Sequence, residues 1–183
     1  MEIVKNIHNS KLARTLFITF MGTVALAISS KIKIPFYPVP MTMQTLVVIF
    51  IGIAFGWRIG IATISLYLFE GIIGLPVFSG TPEKGVGLVY FTGPTMGYLI
   101  GFLAACFLAG YFRYSKNIFI NFSKIAIATS LIYIFGLIWL GFLIGWEKPI
   151  FKLGAEPFLL AELFKITLLT VSISKIKKIR NLL

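Results

Sequence analysis

The chain has 183 residues, of which 58% are hydrophobic, 15% aromatic and only 13% charged, with a formal net charge of +11. That composition excludes an ordinary soluble globular domain. Aspartate is absent and His8 is the sole histidine, so metal chemistry and histidine-dependent acid–base catalysis lose most of their usual side chains.

A spanning helix needs about 20 mostly apolar residues, and segments of that kind fill most of the length. They predict an all-α integral membrane protein with six transmembrane helices, residues 1–183 forming a single membrane domain. No room remains for a soluble catalytic or nucleotide-binding domain. Cys106 is alone, so no internal disulfide forms. The basic residues cluster at segment ends, which points to membrane orientation rather than nucleic acid.

The first predicted span, 12–29, follows Lys5, Lys11 and Arg14. A basic start, a short apolar core and the small residues Ala25, Ala27 and Ser29 also describe a signal peptide. Retention as a span gives the consistent topology. Residues 31–40 follow, where Pro35, Pro38 and Pro40 forbid a helix and favour a stiff, extended loop. The second and third spans, 41–55 and 59–73, are separated by an interface turn at Gly56, Trp57 and Arg58.

Residues 74–92 carry Gly80, Thr81, Pro82, Glu83, Lys84, Gly85 and Gly87 and read as a flexible loop able to lie over something. The fourth span, 94–112, starts at Pro94, a favoured first helical residue. Its ladder of Gly93, Gly97, Gly101, Ala105 and Ala109 lets helix backbones approach closely. A shorter ladder is Gly52, Gly56 and Gly60, and Ala25 with Ser29 makes a weaker one. Packing within the bundle accounts for such ladders, as does docking of another membrane protein. The fifth and sixth spans are 125–144 and 157–173.

Six spans put both termini on one side, with ten Lys and Arg residues there against five on the other. The positive-inside bias then predicts both termini in the cytoplasm. The proline loop, the glycine-rich loop and the start of the sixth helix share the outer face.

Within the sixth span stand Glu162 and Lys165, three residues apart and so on one helical face. A charge in hydrocarbon costs roughly 2.5–3.5 kcal/mol on insertion scales, so the pair requires partners or a polar cavity. Either it is an ion pair locking two helices, or it floors a site for a small molecule bearing both donors and acceptors. Phe36, Tyr37, Phe78, Tyr90 and Tyr98 gather on the same outward side as candidate walls. Gln44, an amide in an apolar run, belongs either to that site or to an interhelical hydrogen bond. No phosphate loop and no serine–histidine pairing occurs. Uphill transport would draw on an ion gradient or on partner subunits.

Four ordered segments carry a family resemblance. They are Pro35 to Leu46 (Pro-Phe-Tyr-Pro-Val-Pro-Met-Thr-Met-Gln-Thr-Leu), Gly74 to Gly80 (Gly-Leu-Pro-Val-Phe-Ser-Gly), Gly93 to Phe102 (Gly-Pro-Thr-Met-Gly-Tyr-Leu-Ile-Gly-Phe) and Pro157 to Lys165 (Pro-Phe-Leu-Leu-Ala-Glu-Leu-Phe-Lys). Together the chain closely resembles the BioY family, biotin-binding membrane subunits of energy-coupling-factor transporters. The resemblance implies a multi-pass protein of the bacterial inner membrane that captures biotin as transported ligand, with no cofactor and no catalytic residue. It further implies a transmembrane coupling protein and cytoplasmic ATPases as partners, with Ala25 and Ser29 as candidate contacts to the coupling protein.

Under that resemblance Glu162 accepts from the cyclic urea and Lys165 donates to its carbonyl. The aromatics wall the bicyclic ring, and Lys84 is a candidate for the valerate carboxylate. Three residues depart from the family pattern: Glu162 stands where aspartate is usual, Met96 where glycine is usual, and Glu70 where an apolar residue is expected. Two further possibilities are the same architecture serving another vitamin or precursor, and a stand-alone secondary transporter.

Overall fold

The computed structural model describes residues 11–83 and 85–181. Lys84 lies outside the described residues, as do Glu2, Lys5 and His8. The elements in chain order are α1 (Lys11–Lys31), β1 (Lys33–Ile34), β2 (Met41–Thr42), α2 (Gln44–Ile72), a 3-10 turn (Gly87–Thr92), α3 (Met96–Tyr111), α4 (Ile118–Ile144), α5 (Ile150–Gly154), a second 3-10 turn (Glu156–Phe158) and α6 (Leu159–Asn181). Among the described residues, the helices Leu12–Lys31, Gln44–Ile72, Ile118–Ile144 and Ile150–Arg180 are long and apolar enough to cross a membrane. Met96–Tyr111 is a shorter apolar helix.

Helix α2 is folded back on itself at Gly56. Its φ of +81° and ψ of 168° lie outside helical space, in a left-handed region that glycine enters without a Cβ clash. Were α2 straight, Gln44 and Tyr67 would stand about 34 Å apart at 1.5 Å per residue. Instead the Gln44 Nε2 donates to the Tyr67 hydroxyl over 2.7 Å. The expected break between the second and third segments is therefore present, and the arms 44–55 and 57–72 run antiparallel.

The small-residue ladder of α3 packs inward. A Cβ added at Gly101 would lie 2.7 Å from the Ile132 Cα on α4, and one at Gly97 would collide with the Phe135 carbonyl. Ala105 and Ala109 are fully buried. Internal packing thus accounts for this ladder, and close backbone approach is the cohesion available to helices in lipid.

Several boundaries differ from the sequence expectations for local physical reasons. The proline stretch 31–40 is not wholly extended loop: Lys33 pairs with Thr42 and Ile34 with Met41 in a short antiparallel hairpin, so α2 starts at Gln44 rather than at 41. Residues 74–92 are not a loose cover, because Phe78 and Tyr90 are core residues and Gly87–Thr92 coils into a 3-10 turn. Helix α3 opens at Met96, not at Pro94.

Helix α4 starts at Ile118 because the Asn117 side chain caps it, accepting from Phe119 N and Ile120 N. Lys124, just before the expected start at 125, reaches back to the Arg113 carbonyl. Helix α6 continues beyond 173 to Asn181. Ile173 and Ile176 are buried there, while Lys175, Lys177, Lys178 and Arg180 crowd the end of the helix that favours cations.

Candidate functional site

One cavity lies between the first arm of α2, the loop 76–95, α3, α4 and the start of α6. It holds about 530 Å³ of space unfilled by protein atoms, mouth included. The hairpin residues Val39 to Thr42 form one rim, and Leu99, Phe102, Ile132 and Phe158 supply apolar wall.

Glu162 lines this cavity from the first turns of α6 while remaining only 5% exposed. Its Oε1 accepts from Thr45 Oγ1 at 2.8 Å and from Lys165 Nζ at 2.7 Å. Lys165, 4% exposed, donates in addition to the Thr42 carbonyl at 2.7 Å and to Thr45 Oγ1 at 2.9 Å. An ammonium has three protons, and all three are committed. Lys165 therefore stands behind Glu162 as counter-charge and does not line the cavity. Both donors address Oε1, which leaves Oε2 with accepting capacity, and Tyr133 on α4 lines the same cavity as the carboxylate.

Gln44 lines the same space. It also makes the interhelical bond that was its structural alternative, since its amide donates to Tyr67, whose hydroxyl in turn donates to the Val77 carbonyl at 2.9 Å. This chain fixes the entry of the 76–81 segment. Helix α1 fixes it from the other side. Ser30 Oγ donates to Val77 O at 2.8 Å, and Lys31 Nζ reaches Pro76 O at 2.7 Å, Phe78 O at 2.9 Å and Thr81 Oγ1 at 3.1 Å.

So held, the segment turns Phe78 and Ser79 into the cavity wall. The Phe78 ring stacks on Tyr90 at 4.8 Å and meets Tyr67 edge-on at 5.2 Å. The Tyr90 hydroxyl donates to the Ser79 carbonyl at 2.8 Å, and burial raises this phenol above its ordinary range, keeping it a donor. The Tyr98 hydroxyl is spent on Gly154 O at 2.8 Å, so Tyr98 offers the cavity its ring. Ser79 is only 3% exposed, and its Oγ is the sole buried side-chain polar atom without a hydrogen-bond partner among the described residues.

Of the residues expected from sequence, Glu162, Gln44, Phe78, Tyr90 and Tyr98 thus come together around one space. Phe36 stands one layer back, edge-on to Phe158 at 5.8 Å. Tyr37 does not join them: it is 91% exposed in the loop between β1 and β2, while the following Pro38 and Val39 turn inward and are buried. Ala25 is exposed on α1, but Ser29 is 4% exposed and its hydroxyl bonds the Leu26 carbonyl, so the two do not form one outward surface.

Sequence reasoning passed over Thr45, Ser79, Tyr133 and Phe158. Thr45 was detectable, since Thr42, Gln44 and Thr45 place three polar side chains at the mouth of an apolar run. Tyr133 carried no such signal, being one aromatic among many in its span.

A family model described as the BioY family matches residues 4–181. The chain belongs to the BioY family. It is 34% identical over 144 residues to a probable biotin transporter BioY of Pyrococcus horikoshii, covering 76% of this chain and 81% of the relative. It is 32% identical over 168 residues to the biotin transporter BioY2 of Lactococcus lactis, covering 90% of each. A crystal structure of the S-component for biotin from an ECF-type ABC transporter superposes with a TM-score of 0.78 at 26% identity, over 93% of this BioY-family chain and 94% of that one.

Proposed function

We propose that this protein is the biotin-binding S subunit of an energy-coupling-factor transporter, a transport protein rather than an enzyme. It would take up biotin from outside and deliver it with a coupling protein and ATPases. The relatives named above are described as a probable biotin transporter and a biotin transporter, and the superposed structure as the S-component for biotin. The observation that carries the reading is the Glu162 carboxylate, held at Oε1 by Thr45 and Lys165 while the cavity adjoins the rest of it.

Biotin's cyclic urea has two N–H donors and one carbonyl acceptor. An N–H donating to Glu162 makes a charge-assisted bond worth about 1.5–3 kcal/mol. The Ser79 hydroxyl, which has no partner among the described residues, supplies a donor for the urea carbonyl. This assigns to Ser79 the part first expected of Lys165, whose protons are committed. The ring system lies against Phe78, Tyr90, Tyr98 and Phe158. Among the described lining residues there is no Lys or Arg, which favours a valerate carboxylate directed to the mouth.

Six spans with both termini in the cytoplasm fit this arrangement. The fold-back at Gly56 divides α2 into two arms, giving six apolar helical segments with α1, α3, α4 and α6. Gly22 of α1 packs on Thr63, and Arg180 of α6 lies against Gly56, so the start of α1 and the end of α6 approach the same end of the bundle. That end carries the cationic surplus, which under the positive-inside bias supports a cytoplasmic position for both termini and a cavity open to the outside.

Equilibrium binding to purified protein with a panel of radiolabelled vitamins tests the substrate. Saturable binding of biotin below micromolar concentration, uncompeted by thiamine or riboflavin, is the expected result. Preference for another vitamin would reassign the substrate, and uptake into liposomes without ATPase partners would favour a stand-alone carrier.

A further inference from the structure

Far from the Glu162 cavity, at the other end of the bundle, an open concavity is lined by Trp57, Tyr111, Phe112, Arg113, Lys177 and Arg180. We propose that it binds the phosphodiester head group of an anionic phospholipid, a site that does not depend on the identity of the transported solute.

Two of its cations are positioned by the backbone and keep donors free. Arg180 Nη1 donates to the Gly110 carbonyl at 3.3 Å, with the Gly56 backbone close against the guanidinium. Lys177 Nζ donates to the Tyr114 carbonyl at 2.9 Å. A guanidinium has five N–H donors and an ammonium three, so most of this capacity remains for an anion. Arg113 projects into the same concavity and is exposed.

Among the described residues no carboxylate answers these charges. Among the described residues the acids are Glu70, Glu83, Glu147, Glu156 and Glu162, and all of them belong to the cavity half of the bundle. Arg58, over the Trp57 ring at 5.2 Å, adds a further cation beside the concavity.

The apolar surroundings distinguish a lipid from a free anion. Trp57 meets Phe107 edge-on at 5.7 Å, and Phe107, one turn deeper along α3, stacks on Tyr111 at 5.8 Å. All three rings are at least partly exposed on the flank of the bundle. Cations above a descending aromatic face match a phosphate joined to acyl chains. Basic pockets at the cytoplasmic ends of membrane helices favour anionic head groups for the same reason.

Native mass spectrometry of the purified full-length protein, equilibrated in micelles with equal phosphatidylglycerol and phosphatidylcholine, tests the site. Wild-type protein should retain phosphatidylglycerol over phosphatidylcholine by about fivefold or more, an effect of about 1 kcal/mol. The Arg113→Gln/Lys177→Gln/Arg180→Gln variant should lose that preference while still binding biotin. Lys116→Gln/Lys175→Gln/Lys178→Gln removes the same charge from the same end outside the concavity and should keep the preference. If the first triple variant fails to fold, Arg113→Gln alone should lower the preference about threefold, because that side chain is exposed and makes no ion pair among the described residues.

Equal retention of the two lipids by wild-type protein would overturn the proposal. So would equal losses in both triple variants, which would mean diffuse surface charge. Complete displacement of phosphatidylglycerol by millimolar inorganic phosphate would also overturn it, in favour of a free-phosphate site.

Discussion

At the cavity end, Lys165 spends its protons on Thr42, Thr45 and Glu162, and Lys31 spends its own on the oxygens of the 76–81 loop. At the opposite end, Arg113, Lys177 and Arg180 face no carboxylate among the described residues. For Lys165, 4% exposed, the first arrangement is what burial demands, since an unpaired charge withdrawn from water is expensive, whereas the exposed Lys31 pins the loop. The second is stable only where water or anionic head groups complete it. The lysines of the cavity end therefore position other groups, whereas the cations of the opposite end are open to an outside anion. An acceptor at Glu162 and a donor at Ser79 are among the groups that the cavity end leaves unspent.

Breaking the cavity end at its buried pair should have the largest effect. Lys165→Met leaves the Glu162 carboxylate buried without a counter-charge, a situation that costs about 3–5 kcal/mol. We expect a marked fall in melting temperature together with loss of biotin binding. Glu162→Gln/Lys165→Met removes both charges and should recover most of the stability without recovering binding, which thermal unfolding of the four proteins in a double-mutant cycle would measure.

Next in size is the shared scaffold between the two ends. Gly101→Val introduces side-chain atoms where a Cβ already lies 2.7 Å from Ile132 Cα. It should lower stability by about 1–3 kcal/mol through overpacking, seen as a lower melting temperature.

Ser79→Ala separates binding from folding more finely. Its Oγ has no partner among the described residues, so unliganded stability should hold or rise, while biotin affinity falls about fivefold for a lost hydrogen bond of about 1 kcal/mol. Lys31→Met should free the 76–81 roof and speed biotin release a few-fold in a stopped-flow chase, with little change in melting temperature. The smallest effect is expected at Tyr37→Ala, within twofold of wild type in affinity, because that side chain is 91% exposed and outside the cavity.

Much of the cavity end was legible from residue type alone. Glu162 and Lys165 announced a site because charge inside an apolar helix demands an explanation, and Gln44 did so more weakly. Their division of labour was not legible. Three-residue spacing on α6 says that the two side chains meet, but only the position of Thr42 and Thr45, more than a hundred residues away in sequence, shows that Lys165 is saturated and Glu162 is not. Ser79 was hidden for a similar reason, since a serine in a glycine-rich loop is unremarkable until the loop is pinned by Ser30, Lys31 and Tyr67. Helix boundaries failed where polar side chains serve the backbone, as Asn117 and Lys124 do at the start of α4. The turn at Gly56, by contrast, was announced by the Gly-Trp-Arg sequence.

Calorimetric titration of biotin into the purified protein in lipid nanodiscs, alongside the Glu162→Gln/Lys165→Met variant, is the most direct measurement. Wild-type protein should bind one biotin per chain with sub-micromolar affinity, and the variant should bind none while melting within a few degrees of wild type. Equal affinity in the two proteins, or no saturable heat from the wild type, would contradict a vitamin site built on the free side of a buried carboxylate.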